Sequence, residues 1–280
     1  MKHERRGAAF WFLAAFFAAF VLFLYGPTIT IVILSFQGPS GGLTFPMKGV
    51  SVHWFKNLFE KQMVGDFAGS FQRSMILGIS VMVVTVVVSF SAGLAFRKRF
   101  YGSAVVFYLA IASLIVPSIL ISLGIGLLFR VLDIDAAWYS SAFGAHLTWT
   151  LPFGLLIMFA VFNRFDRRYE EAARDLGATS WQTVKHVIVP ILLPSLIGVG
   201  LFGFTLSYDE FARSLYTAGT FNTLPLEIYG MTTNVTTPVL YALGTVTTGF
   251  SFLVIALALV SNLVIRRRRL RFGSDAGKAA

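Results

Sequence analysis

The sequence predicts an all-α membrane protein with six transmembrane helices, and three observations carry that expectation. Of the 280 residues, 56% are hydrophobic and 13% charged, with a mean hydropathy of +0.74, outside the range of a water-soluble domain. Apolar runs of roughly 20 residues or more recur, each long enough to cross a hydrocarbon core of about 30 Å as a helix. Basic clusters stand where several of these runs stop. Backbone groups in lipid must be bonded internally, which favours helices, and the alternating pattern of a membrane barrel is absent.

The first run, 8–36, follows "KHERR" and has the charge and apolar order of a signal peptide. It is too long for one and continues through Pro27 without a small-x-small cleavage site, so an uncleaved first span is expected. Residues 37–73 form an outer segment in which "GPSGG" reads as a turn and "VHWFKNLF" as a short interfacial helix with Trp54 and Phe55 at headgroup depth. The second span, 74–96, ends at the basic Arg97–Arg99, and the third covers 105–129. Asp133 and Asp135 lie in the next outer loop, either attracting cations or as solvated loop charges. The fourth span is 143–162, the fifth 187–209 and the sixth 241–265, where "RRRRLR" begins.

The formal charge of +10 raises nucleic acid as a partner. The basic clusters flank apolar runs, however, so they are read as topology signals and lipid anchors, and no nucleic-acid role is expected. Six spans with both termini cytoplasmic put most of the 23 Lys and Arg residues inside. Cysteine is absent, which excludes disulfides and thiolate metal sites.

Residues 164–186 form a polar passage on the cytoplasmic side, with helix signals rather than loop signals. "YEEAARDL" is made of good helix formers, and Gly177 is a natural stop, since glycine enters the left-handed conformation cheaply. Thr179 and Gln182 fit a capping box, so a second helix starts at Ser180, with Trp181, Val184 and Val187 on one face. The result is a helical hairpin, either a docking knob or an ordinary connector.

Its spacing resembles the EAA signature of permease subunits of binding-protein-dependent ABC importers: Glu-Ala-Ala, three residues, Gly, nine residues, then aliphatic-x-aliphatic-Pro. The matching positions are Glu171, Ala172, Ala173, Gly177, Val187, Val189 and Pro190. The resemblance implies a type I importer permease fold, with residues 1–280 as one transmembrane domain. It also implies partners: two cytoplasmic ATPase subunits on which the hairpins of two permease subunits dock, a second permease subunit in a heterodimer, and a periplasmic or lipid-anchored solute-binding protein, in the inner membrane bilayer. The chain has no "GxxxxGK[ST]" loop, so it binds no cofactor itself, and ATP–Mg belongs to the ATPase subunits.

The stretches "FTLSYDEFARSLYTAG", "TLPLEIYGM" and "TTPVLYALGT" look most like the spermidine/putrescine type of that family. Asp209 and Glu210 end the fifth span, and acids at membrane depth are functional candidates. They and Tyr208, through a cation–π contact, are read as a cationic substrate path. The alternative pairs Asp209 with Arg213 one helical turn on. Pro117 and Ser118 complete the candidate path: Pro117 as a kink that frees carbonyls, Ser118 as a departure, because permeases of this type often carry an acid there. That departure admits opines, amino-acid derivatives or aminophosphonates as cargo. A secondary transporter would show internal repeats, which are not found. A membrane enzyme or metal site would need ligands around His146 or around Asp209 and Glu210, and the sequence offers none, so no catalytic residue is expected.

Overall fold

The computed structural model describes residues 7–59, 65–98, 100–234 and 237–276. In chain order the helices are α1 (Ala8–Leu34), α2 (His53–Asn57), α3 (Phe67–Phe96), α4 (Ser103–Ala112), α5 (Ser118–Val131), α6 (Phe143–Asn163), α7 (Arg168–Asp175), α8 (Ser180–Thr183), α9 (Val189–Tyr208), α10 (Leu224–Asn234) and α11 (Val239–Ala276). Single π turns, Trp138–Ala142 and Val184–Ile188, lead into α6 and α9. Among the described residues there is no strand, only one isolated bridge between Gln37 and Val50. Five helical stretches are long and apolar enough to cross a membrane.

The third expected span is not continuous. It divides into α4 and α5, with residues 113–117 unwound between them and Pro117 in an extended conformation ahead of α5. A proline disfavours helix in the residue before it, and unwound backbone at membrane depth is tolerated where protein covers it. Here the Ser113 hydroxyl donates to the Thr148 carbonyl at 2.8 Å.

The chain forms two compact units. The first comprises the residues up to Gly65 together with Gly230–Phe250. In it the buried Gln37 organises the outer turn: its amide donates to the Gly42 carbonyl, and its oxygen accepts from the Lys48 amide at 2.8 Å. The Tyr241 hydroxyl donates to the Leu43 carbonyl at 2.7 Å.

The second unit, built on residues 66–229, holds its core where α3, α6 and α9 pack together. Lipid is as apolar as leucine, so helices in it associate through close packing and hydrogen bonds. One face of α3 carries Ser70, Ser74, Gly78, Val81, Thr85, Ser89 and Gly93, all buried. An added Cβ at Gly93 would come within 2.7 Å of the Phe162 ring, and one at Gly154 within 2.2 Å of the Ser89 hydroxyl. Thr85 donates to Thr150 at 2.8 Å, joining α3 to α6.

Candidate functional site

The EAA segment is placed by three local devices. The N-cap residue Arg167 makes no side-chain cap bond, but the Asp166 carboxylate accepts from the Arg168 amide at 3.0 Å, and Glu170 and Glu171 sit in the first turn of α7, where the helix dipole favours acids. At the far end Gly177 has φ +83°. Its amide donates to the Arg174 carbonyl and the Ala178 amide to the Ala173 carbonyl, closing a Schellman motif. The Thr179 hydroxyl then accepts from the Gln182 amide, and the Gln182 side chain accepts from the Thr179 amide, so the expected capping box is present.

From Ser180 the helix runs without a break through the π turn to Tyr208. Val187 lies in that turn, half-buried, and Val189 and Pro190 open α9. Proline has no N–H to give the carbonyl one turn back and its ring crowds that carbonyl, so a widened turn just before it absorbs the defect. The extra residue also moves the packing face. Thr183, Ile188, Leu192, Leu196 and Val199 are the buried positions, whereas Trp181 is 72% exposed. The expected face of Trp181, Val184 and Val187 is therefore corrected.

An ion pair fixes the hairpin to the rest of this unit. Arg97, just past α3, meets Glu170 at 2.5 Å, and its guanidinium lies over the rings of Phe162 and Phe165. Glu171, Ala172 and Gly177 remain exposed, as do Tyr169 and Leu176, the latter at 89%. Ala173 is half-buried. Apolar side chains thus stand uncovered by this chain on a rigid polar hairpin.

The candidate path is arranged differently from the sequence expectation. Helix α9 stops at Tyr208, and Asp209 is its exposed C-cap. Tyr208 is buried, stacked on Phe204 with centroids 5.6 Å apart and edge-on to Phe71. That burial corrects its reading as a ring open to a passing cation. The Glu210 carboxylate accepts from the Arg213 amide at 3.0 Å and closes a turn. Among the described residues the ion pairs are Arg73–Asp66 and Arg97–Glu170, so the Asp209–Arg213 pair is corrected as well. The helix has already ended, and its one-turn spacing no longer brings the two together.

Arg213 instead turns into the protein and is fully buried. Nη1 donates to the Ser118 hydroxyl at 3.0 Å, Nε to the Thr148 hydroxyl at 3.3 Å, and the guanidinium lies 4.6 Å from the centre of the Trp149 ring. Ser118 is thereby the first residue of α5 and an Arg213 ligand, with Pro117 exposed beside it. His146, also buried, joins Ser207 at 2.8 Å through Nδ1 and Ser214 at 2.9 Å through Nε2. Ser122 donates to the Arg213 carbonyl and Ser141 to the Thr217 carbonyl. These bonds tie the segment 209–219 to α5, α6 and α9. The signal in the sequence was the polar spacing of His146 and Thr150 within an otherwise apolar span, together with the serines at 207 and 214.

Asp133 and Asp135 line a cavity of about 520 Å³ with Arg130, Gly126 and Tyr216. Among the described residues no cluster of three or more His, Asp or Glu is placed to hold a metal.

A broken third span, a polar hairpin continuous with α9 and small-residue helix packing define a helical membrane protein. The family model for binding-protein-dependent transport system inner membrane components matches residues 85–270, and the chain belongs to that family. It is a multi-pass membrane protein with the type I permease fold, and its relatives are transport permeases rather than enzymes. The chain is 30% identical over 254 residues to the spermidine/putrescine transport system permease protein PotC of Haemophilus influenzae, covering 90% of this chain and 96% of that one. It is 26% identical over 235 residues to the putrescine transport system permease protein PotI of Escherichia coli, covering 81% and 82%. In fold it matches a bacterial ABC transporter involved in the import of the acidic polysaccharide alginate, with a TM-score of 0.64 at 14% identity over 97% of this chain and 99% of that one.

Proposed function

We propose that this chain is a permease subunit that imports a small nitrogenous solute, a polyamine such as spermidine or putrescine or a related compound, by ATP-driven alternating access. The observation that carries the reading is the hairpin at Gly177, rigid at both helix ends and continuous with a membrane span. Movement of its tip is therefore transmitted to α9 without an intervening loop. One cytoplasmic ATPase subunit holding ATP–Mg docks on Glu171, Ala172, Ala173 and Gly177, with Val187, Val189 and Pro190 anchoring the second arm, and a second ATPase subunit docks on the corresponding hairpin of the other permease subunit. A second permease subunit and an external solute-binding protein complete the importer. Both termini face the cytoplasm, in keeping with the basic flanks. The names of the relatives support the polyamine class, and Asp209, exposed at the end of α9, is the carboxylate offered to a cationic solute.

Space around Gly177 is open within this chain: an added Cβ meets nothing within 4 Å. Aspartate enters the left-handed region more readily than most residues, at some cost in strain, so Gly177→Asp strains the bend and places a charged side chain where a partner would lie. We expect unchanged membrane levels, with co-purification of the ATPase and ATP-dependent uptake both reduced by about tenfold or more. Normal co-purification would overturn the docking assignment.

A further inference from the structure

We propose that the groove between α3 and the arm leading into α9 is a binding site for one phospholipid with an anionic headgroup, its acyl chain in the groove and its phosphate held by Lys185 and the basic residues beside it. The inference concerns the contact of the chain with its bilayer and holds whatever the cargo.

The apolar half comes first. A cavity of about 330 Å³ is lined by Val86, Val87 and Phe90 of α3 and by Val184, Val189 and Leu196 of the arm and α9. Its floor is firm, because Val86, Phe90, Val184 and Val189 pack on the core that contains Met158, Phe162 and Ile188. Its outer side is open, with Val87 57% exposed. The two helices run antiparallel, since an added Cβ at Gly200 would come within 3.2 Å of Val86 and one at Gly78 within 3.0 Å of Phe204. Val86 lies about 15 Å along the helix from its end at Phe96. The groove therefore reaches from the end of a span well into the depth of the hydrocarbon.

Charge supplies the second half. At the hairpin end of the groove stand Trp181 and Lys185, both exposed. An indole at headgroup depth, and a lysine whose stem lies on apolar surface while its amine reaches out, are what membrane interfaces favour. Val184 also lines a second cavity, of about 390 Å³, together with Arg97, Lys98, Arg167 and Arg174. With Arg97 paired to Glu170, the other three cations share that cavity with one acid, Glu171. Neither those three nor Lys185 is in an ion pair among the described residues. An apolar groove with uncompensated cations at its head complements a lipid that carries net negative charge. An apolar helix of a neighbouring subunit would fill the groove but leave Lys185 without an anion, and a zwitterionic lipid brings a cation of its own to the cluster.

The test places the purified permease complex in nanodiscs of phosphatidylcholine and adds brominated phosphatidylglycerol or brominated phosphatidylcholine in rising mole fraction. Bromine on an acyl chain quenches a tryptophan that it touches. The chain has five tryptophans, so the Trp181 signal is taken as the difference between wild type and Trp181→Phe. We expect phosphatidylglycerol to half-quench that signal at a mole fraction at least about tenfold below that of phosphatidylcholine. Lys185→Gln should lower the ratio by about fivefold, the share of one cation near an anionic headgroup. Val87→Phe narrows the groove and leaves the cations in place, so it should raise the phosphatidylglycerol fraction required. Equal quenching by the two lipids would make the groove an ordinary lipid contact and overturn the inference. So would a Trp181 signal that neither lipid quenches, which would assign the groove to a partner protein. A preference unchanged in Lys185→Gln, or a quenching midpoint unchanged in Val87→Phe, would overturn it as well.

Discussion

At the scale of single residues, buried polar side chains decide how the helices of the second unit meet. His146 has both ring nitrogens engaged, one by Ser207 of α9 and one by Ser214 of the segment beyond it. A neutral imidazole donates from one nitrogen and accepts at the other; the Ser214 hydroxyl donates to the Glu210 carbonyl at 2.9 Å, so it accepts from Nε2–H, and the Ser207 hydroxyl donates to Nδ1. Replacing it by alanine takes one partner from each hydroxyl, Ser214 keeping its bond to the Glu210 carbonyl, and opens a cavity in a closely packed region. We expect His146→Ala to destabilise the protein by about 1–3 kcal/mol, read as a lower midpoint of thermal unfolding in detergent. His146→Gln, which keeps a donor and an acceptor, should recover part of the loss. Little of this was legible beforehand. The sequence places a histidine in an apolar span, but the serines that bind it are 61 and 68 positions away, and only folding brings them together.

At the scale of elements, the helical hairpin of α7 and α8 was legible because its signals are local. Gly177 at a helix end and Thr179 with Gln182 at the next helix start each act within a few residues, and both appear as expected. The face of the second arm was misread for a physical reason: the π turn at Val184–Ile188 inserts a residue into the repeat, and no local pattern other than Pro190 announces it. The break in the third span also goes with a proline, whose presence is visible but whose consequence depends on non-local contacts such as the Thr148 carbonyl of α6 accepting from the Ser113 hydroxyl. The pin between Arg97 and Glu170 is likewise non-local, and it leads to a prediction. Both side chains are mostly covered, at 14% exposure each, so screening by salt is weaker than at an open surface. Arg97→Met retains apolar contact with Phe162 and Phe165 but removes the charge. Amide exchange across 168–179 should then quicken by about tenfold, equivalent to about 1.4 kcal/mol of local stability, while exchange in α3 and α6 stays slow. Equal protection in variant and wild type would show that the hairpin is held by packing alone.

At the scale of the whole molecule, the helical class follows from composition, because lipid admits few ways to satisfy a backbone, whereas the third expected span is divided into two shorter helices that composition does not separate. Which side each loop faces is a separate matter, carried by the placement of Lys and Arg rather than by any helix contact. The absence of cysteine gives a clean means of testing it. Val50, in the segment read as external, is 80% exposed, and Leu176, at the tip of the coupling hairpin, is 89% exposed. A single cysteine at either site reacts without competition from the protein's own thiols and without disturbing a core. If most of the 23 basic residues lie inside, a membrane-impermeant maleimide applied to intact cells should label Val50→Cys and spare Leu176→Cys until the membrane is opened. The reverse pattern would invert the topology and move the hairpin to the side where no ATP is available. Docking of an ATPase at Gly177 requires the first result, so the labelling experiment bears on the coupling mechanism as directly as any substitution in the hairpin.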